Sequence, residues 1–391
     1  MMSTEVLLRQ SEGAASKPGG NLQTAEAKIQ SLQHLRVLAA SVIVLYHTEL
    51  QITRLSDGHH AHSFGFGAAG TDLFFVIGGF IMVYTQRDRG DTFGGFMYRR
   101  LLRIAPLYWL FTFLMLLVLV VAPSHLMTSG FEPWHFLFSL AFVPYPHPVL
   151  GVDRPFLFPG WVLNHFVFFY VIFGALLPLP VRRRVLAASA VLLGLMTLRL
   201  LAPGEGRLLD FYGATINLDF ILGMIVGWLF IERRVSLSTI VVVGVLGLSV
   251  FAAGVFEDVS GGDDRALYWG VSSAALLFVC VFVEKQWNWP KWRLVAALGE
   301  TSYSVFVSHL FALALVTSAL RAFRLFPILG VGGTRFVFLA AAWIVAIGVY
   351  YVLERPLLNR LRRRSPKQPR ETDNRVAVGP PAEIPISSDA A

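Results

Sequence analysis

Long apolar runs separated by short polar segments dominate this chain. A helix that crosses a membrane needs about 20 mostly apolar residues. Ten stretches qualify: roughly 32–50, 67–85, 104–122, 160–180, 185–202, 212–231, 237–256, 267–284, 297–319 and 335–353. They use about half of the chain and leave no polar stretch long enough for a second soluble domain. The segment 134–143 is apolar but too short to span, and Pro144, Pro146 and Pro148 close it. It reads as a half-helix or re-entrant piece. The pattern predicts an all-α polytopic membrane protein with about ten transmembrane helices.

Composition agrees with that pattern. Of 391 residues, 55% are hydrophobic and only 15% charged, against roughly 25% charged in a typical soluble domain. An ordinary cytosolic enzyme and a long disordered chain are both excluded. One cysteine, Cys280, allows no internal disulfide and no multi-cysteine metal site. The net charge of +8 can signal nucleic acid, or charge sorted to one side of a membrane. With the N-terminus in the cytoplasm, 25 of the 33 Lys and Arg fall on the cytoplasmic side and 8 on the other. That bias predicts both termini inside and removes any need for a nucleic-acid partner.

Residues 1–28 lack the charged-then-apolar order of a signal peptide and are expected to be a disordered cytoplasmic tail. Residues 29–358 form the membrane domain. Residues 359–391 are basic, then rich in Pro and Ala, and are expected to be a second cytoplasmic tail in contact with anionic lipid. No internal repeat is visible, so the inverted-repeat pattern of many transporters is missing.

Ionisable residues inside spans are costly and point to function. Arg36 and His47 are eleven residues apart, about 20° past three full turns. They share a helix face, about 16 Å apart along the axis. Asp72 opens the next span at about the depth of His47. A carboxylate there can fix the tautomer of a histidine and raise its basicity, which suits a general base. A helix-start aspartate favoured by the dipole is the plainer reading. Arg99, Arg100 and Arg103 precede the third span at helical spacing. Three guanidiniums can clamp phosphates, and they can equally be ordinary positive-inside charge.

Asp219, Glu300, Ser302 and His309 are further polar positions within or at the ends of spans. Gly65–Gly70 formally matches the dinucleotide fingerprint G-x-G-x-x-G, but it follows no strand. Its small residues are expected to let helices approach closely. His59, His60 and His62 lie in a loop and read as solvated rather than metal-binding; no metal site is expected. No G-x-S-x-G, P-loop or H-E-x-x-H motif occurs.

Taken together, these motifs resemble the acyltransferase 3 family of integral-membrane acyltransferases, and within it enzymes that acylate bacterial exopolysaccharides. The resemblance covers roughly residues 29–358. Arg36 and His47 match the first-helix pattern. Asp72 to Phe80 match the second-helix block. Arg99, Arg100 and Arg103, followed by Ile104 to Trp109, match the Arg-Arg-x-x-Arg signature. Gly299 to Ser304 with His309, and Glu354-Arg355-Pro356, match two later blocks. Two positions depart from the pattern. Gly78 replaces a serine, and Phe166 stands where a glutamate is usual, which removes one candidate acid.

The resemblance implies transfer of an acyl group, often acetyl, from cytoplasmic acyl-CoA to a hydroxyl of a lipid-linked or exported glycan. It places the protein in a bacterial inner membrane, with acyl-CoA as donor substrate and no bound cofactor. Arg36, Arg99, Arg100 and Arg103 would hold the CoA phosphates. His47 would act as general base or carry the acyl group transiently, and Asp72 would orient it. Two alternatives remain at this level. One is a proton-coupled transporter with a relay of His47, Asp72, Asp219 and Glu300. The other is an inactive scaffold that binds acyl-CoA, motivated by Gly78 and Phe166.

Overall fold

The computed structural model describes residues 29–59, 64–122, 130–259, 262–287 and 289–364. The two expected tails lie outside the described residues, apart from 359–364, and so do His60 and His62. Among the described residues, ten helices are long and apolar enough to cross a membrane, and each overlaps one of the ten predicted runs. The first three are α1 (Gln30–Leu55), α2 (Ala69–Thr85) and α3 (Phe93–Val121). A short α4 (Pro133–Leu140) precedes α5 (Trp161–Ala175) and α6 (Val181–Leu201). Then come α7 (Arg207–Tyr212), α8 (Asn217–Glu232), α9 (Leu237–Phe256) and α10 (Val271–Gln286). The last four are α11 (Arg293–Glu300), α12 (Ser302–Ala322), α13 (Phe326–Val349) and α14 (Arg355–Arg364).

Helices α1, α2, α8, α10 and α12 form the interior of the bundle, with α2 the most buried of the spans. Small residues bring the helices together. A Cβ at Gly223 of α8 would lie 2.0 Å from the Val76 carbonyl oxygen of α2. A Cβ at Gly70 would lie 2.6 Å from the Ala39 carbonyl oxygen of α1. Backbones this close leave no room for a side chain, which is how membrane helices gain dispersion energy without a hydrophobic drive. Gly67 and Gly70 therefore serve helix approach, as their sequence context predicts. Helices α6, α9 and α13 sit outside, and Leu200, Leu248 and Ile344 are exposed on them, as a lipid-facing surface requires.

Several elements differ from the sequence expectation. The run 297–319 is two helices, because the chain turns at Thr301, where α11 ends and α12 begins. The amphipathic α11 runs from its arginine end to Gly299, which packs against Gln33 of α1. The run 212–231 likewise begins in a separate turn of helix, α7. Beyond α13 the chain widens through a π-type turn at Tyr350–Glu354 and continues as α14 to Arg364, six residues into the segment expected as tail. The segment 134–143 does not span. The Trp109 indole donates to the Leu140 carbonyl at 2.9 Å, and the Phe156 amide donates to Ser139 Oγ at 2.8 Å. These contacts fold α4 back onto α3 as a cap.

The start of α1 has an unusual partner. The first backbone N–H groups of any helix lack acceptors within the helix. Here the Gln30 and Ser31 amides donate to the two carboxylate oxygens of Glu284, at the end of α10, at 2.6 and 2.7 Å. A side chain some 250 positions along the chain thus caps the helix that carries Arg36 and His47.

Candidate active site

The predicted residues occupy two levels of the bundle. At the end where Arg36, Arg87, Arg184 and Lys285 gather, Arg36 from α1 and Arg100 and Arg103 from α3 line one cavity with Ser302 and Tyr303 of α12. The cavity encloses about 120 Å³. Arg100 donates to Thr85 Oγ1 at 2.9 Å and lies over the Phe96 ring, 5.4 Å from its centroid. Tyr303 donates to the Ile104 carbonyl at 2.5 Å, and Ser304 donates to the buried Glu354 at 2.5 Å. Glu354 belongs to the Glu-Arg-Pro segment, so that segment braces the α12 side of the basic mouth. Arg99 does not join the cavity: it pairs with Asp91. Around the helix Arg103 lies between the other two, about 40° from Arg99 and about 60° from Arg100, so it is the pairing with Asp91, not helix phase, that sets Arg99 apart.

From this mouth the cavity runs along Ile81, Ile77, Gly78, Phe74, Val162, Leu163 and Phe166 to Ile43 and Thr71. Ile43 is one helical turn before His47, and Thr71 adjoins Asp72. The passage therefore ends close to the second polar level.

There, His47 and His309 face each other with ring centroids 5.1 Å apart. His309 Nδ1 lies 3.0 Å from the Val305 carbonyl and 2.9 Å from that of Phe306. Carbonyls only accept, so Nδ1 carries the proton and donates. His309 Nε2 is then a bare lone pair, buried without a hydrogen-bond partner. Tyr46 stands edge-on to the His47 ring at 5.3 Å.

Asp72 does not do what its spacing suggested. It is fully buried and bound by Arg265, through Nε to Oδ1 at 3.1 Å and a terminal nitrogen to Oδ2 at 2.5 Å. Arg265 also donates to the Ala68 carbonyl at 3.1 Å. No hydrogen bond joins Asp72 to His47. The close α2–α8 packing brings a second buried carboxylate, Asp219, beside the same guanidinium. The expectation that Asp72 orients His47 is thus corrected: Asp72 is committed to a buried bidentate pair, and the ring beside His47 is that of His309.

Nor are the four members of the alternative relay brought together. Glu300 lies in α11 at the basic end, where it accepts from Tyr350 at 3.0 Å, far along the bundle from Asp72 and Asp219. His165 is paired with Asn217 at 3.2 Å and packs on Phe211.

Two residues beyond the sequence candidates organise the site. Arg265 binds Asp72 and lies near Asp219. Its signal was a lone arginine flanking an apolar run on the arginine-poor side. Arg154, from the cap, lies 5.1 Å from the Trp161 ring centroid, and its carbonyl faces His135 Nε2 at 2.8 Å. No sequence spacing pointed to it.

A model of the acyltransferase domain of acyltransferase 3 matches residues 29–353. The chain belongs to this family. It is a multi-pass membrane protein and an acyltransferase. It is similar to the exopolysaccharide production protein ExoZ of Rhizobium meliloti strain 1021, with 33% identity over 322 residues, 78% of this chain and 93% of the relative. No solved structure matches it. In this acyltransferase the matched region takes in both polar levels and the passage between them. The two departures from the family pattern meet in that passage: Phe166 lies against Gly78, on the wall of the cavity.

Proposed function

We propose that the protein transfers an acyl group, acetyl in the simplest case, from cytoplasmic acyl-CoA to a hydroxyl of an exopolysaccharide or its lipid-linked precursor. The basic end of the bundle then faces the cytoplasm of a bacterial inner membrane, with both termini on that side. The observation that carries this reading is the single cavity that starts among Arg36, Arg100 and Arg103 and ends one turn from His47. Guanidiniums bind phosphates in bidentate fashion, so this mouth suits the phosphates of CoA. The apolar passage suits the extended pantetheine arm, which brings the thioester toward His47. Identity with ExoZ supports the choice of glycan acceptor.

In this scheme His47 accepts the proton of the acceptor hydroxyl as its oxygen attacks the thioester carbonyl. The C–S bond breaks as the ester C–O bond forms. The proton then passes to the departing sulfur, giving free CoA thiol. His309 takes the positioning role first expected of Asp72. Its Nε2 lone pair offers an acceptor for an N–H of His47, which would leave the other ring nitrogen as the base.

The test uses the full chain in proteoliposomes with acetyl-CoA and a glycolipid extract of host membranes, following thiol release. His47→Ala is expected to lower turnover by about 10²–10⁴-fold, and His309→Ala by about 10–100-fold, in line with outer-shell partners of other sites. Unchanged turnover in His47→Ala refutes the base. Solute uptake without an acyl donor would point to the transporter instead. CoA binding without thiol release would point to the inactive scaffold.

A further inference from the structure

The middle of the donor cavity has a construction of its own. A Cβ at residue 78 would lie 2.5 Å from Phe166 Cε1, 2.9 Å from Cζ and 3.3 Å from Phe220 Cε1. Gly78 is thus a socket for the Phe166 ring. That ring is hemmed in elsewhere. It stacks on Phe75 at 5.2 Å, meets Phe220 edge-on at 5.1 Å and Tyr170 at 5.9 Å. Its remaining free side is the cavity, whose wall it forms. A side chain at 78 could only drive the ring into the passage.

This stretch is largely apolar, with Tyr170 the hydroxyl-bearing lining residue against the ring. Between the basic mouth and Thr71, the other side chains beside Phe166 are Ile77, Ile81, Phe74, Val162 and Leu163. The serine and glutamate of the family pattern would have put two polar groups at this level. Gly78 leaves the space that the Phe166 ring occupies.

We propose that Phe166, seated on Gly78, is the throat of the donor cavity and passes small, uncharged acyl groups. The inference rests on the acyl-CoA reading above. In that reading the acyl group is the leading end of the donor. It must clear the throat before the thioester can approach His47, wherever the acyl group finally rests. A bulky chain is stopped by the ring. A carboxylate-bearing acyl group loses its water among mostly apolar side chains that offer a charge no cation and little hydrogen bonding in return. The pair is a specificity element and not part of the reacting machinery.

The experiment compares acetyl-, butyryl- and succinyl-CoA in the thiol-release assay, with wild type, Phe166→Ala, Gly78→Ala and the double variant. The wild type is expected to use acetyl-CoA best and succinyl-CoA at least about tenfold less well. Phe166→Ala is expected to raise the butyryl-to-acetyl ratio by about tenfold, the scale of a few methylenes in an apolar pocket. Gly78→Ala is expected to lower turnover with both, butyryl more. The double variant should recover what Gly78→Ala loses, since no ring remains to be displaced. That recovery also shows that Gly78→Ala failed by steric blockage and not by misfolding. Active variants with one unchanged donor ratio overturn the throat and leave the acyltransferase reading intact. A wild type that releases no thiol from any acyl-CoA overturns both.

Discussion

Replacing Arg265 by alanine is the most telling perturbation of the buried polar level. Arg265 makes two hydrogen bonds to Asp72 and one to the Ala68 carbonyl. Asp72 and Asp219 are both fully buried. Without the guanidinium, two adjacent carboxylates remain with neither water nor a cation. Breaking a buried pair from one side costs about 3–5 kcal/mol, which is roughly 150- to 4000-fold in a folding equilibrium. The cost is the unpaired charge, so removing that charge should return most of it. Arg265→Gln with Asp72→Asn is expected to be far closer to wild type than Arg265→Ala. Thermal unfolding of the detergent-solubilised chain, read as a double-mutant cycle, measures the coupling. Arg265→Ala unfolding at the wild-type temperature would refute the reasoning. So would a large loss of turnover that persists in the double variant after stability returns, because it would mean that Asp72 acts on His47 directly.

The arginines separate by partner. Arg100→Gln and Arg103→Gln are expected to weaken CoA binding by about tenfold or more, as loss of a charge-assisted bond does. Arg99→Gln, facing Asp91, should change it little; equal effects in a CoA competition assay would refute the assignment. The cap formed by residues 133–157 is expected to loosen in acid. Burial pushes the pKa of His135 and His147 below the usual 6.5. Both are therefore held neutral when folded, and the cap is most stable above that value. Its stability falls as pH drops through about 6.5, where the open form takes up protons that the folded form refuses. Hydrogen exchange at pH 7.5 and 5.0, corrected for intrinsic rates, should show faster exchange in the cap at the lower pH; protection equal at both would contradict it.

The spans were legible because a membrane imposes a length and a composition on each helix. The half-helix α4 was legible from its length and its prolines. Helix ends were less so: nothing in the run 297–319 marks Thr301 as a corner, since the turn depends on Gly299 meeting α1. At the site, Arg36, Arg100 and Arg103 could be grouped by spacing along their own helices. Spacing grouped Arg99 with them, only about 40° from Arg103 around the helix, and its pairing with Asp91 could not be read. The partner of Asp72 could not be read. Depth along the membrane put Asp72 level with His47, but depth says nothing of which neighbour a side chain faces around the bundle. Arg265 reaches it from 193 residues away. The meeting of Gly78 and Phe166 was hidden for the same reason, since each looked like a separate loss.

The Glu284 cap on α1 bears on biosynthesis. The helix that carries Arg36 and His47 leaves the ribosome among the first, with its leading amides still unpaired. Their acceptor is made about 250 residues later, a delay of roughly 10–50 s at 5–20 residues per second. Until then α1 has neither its cap nor α12, the source of His309. Arg36 and His47 can therefore reach their native surroundings only after α10 and α12 have been made.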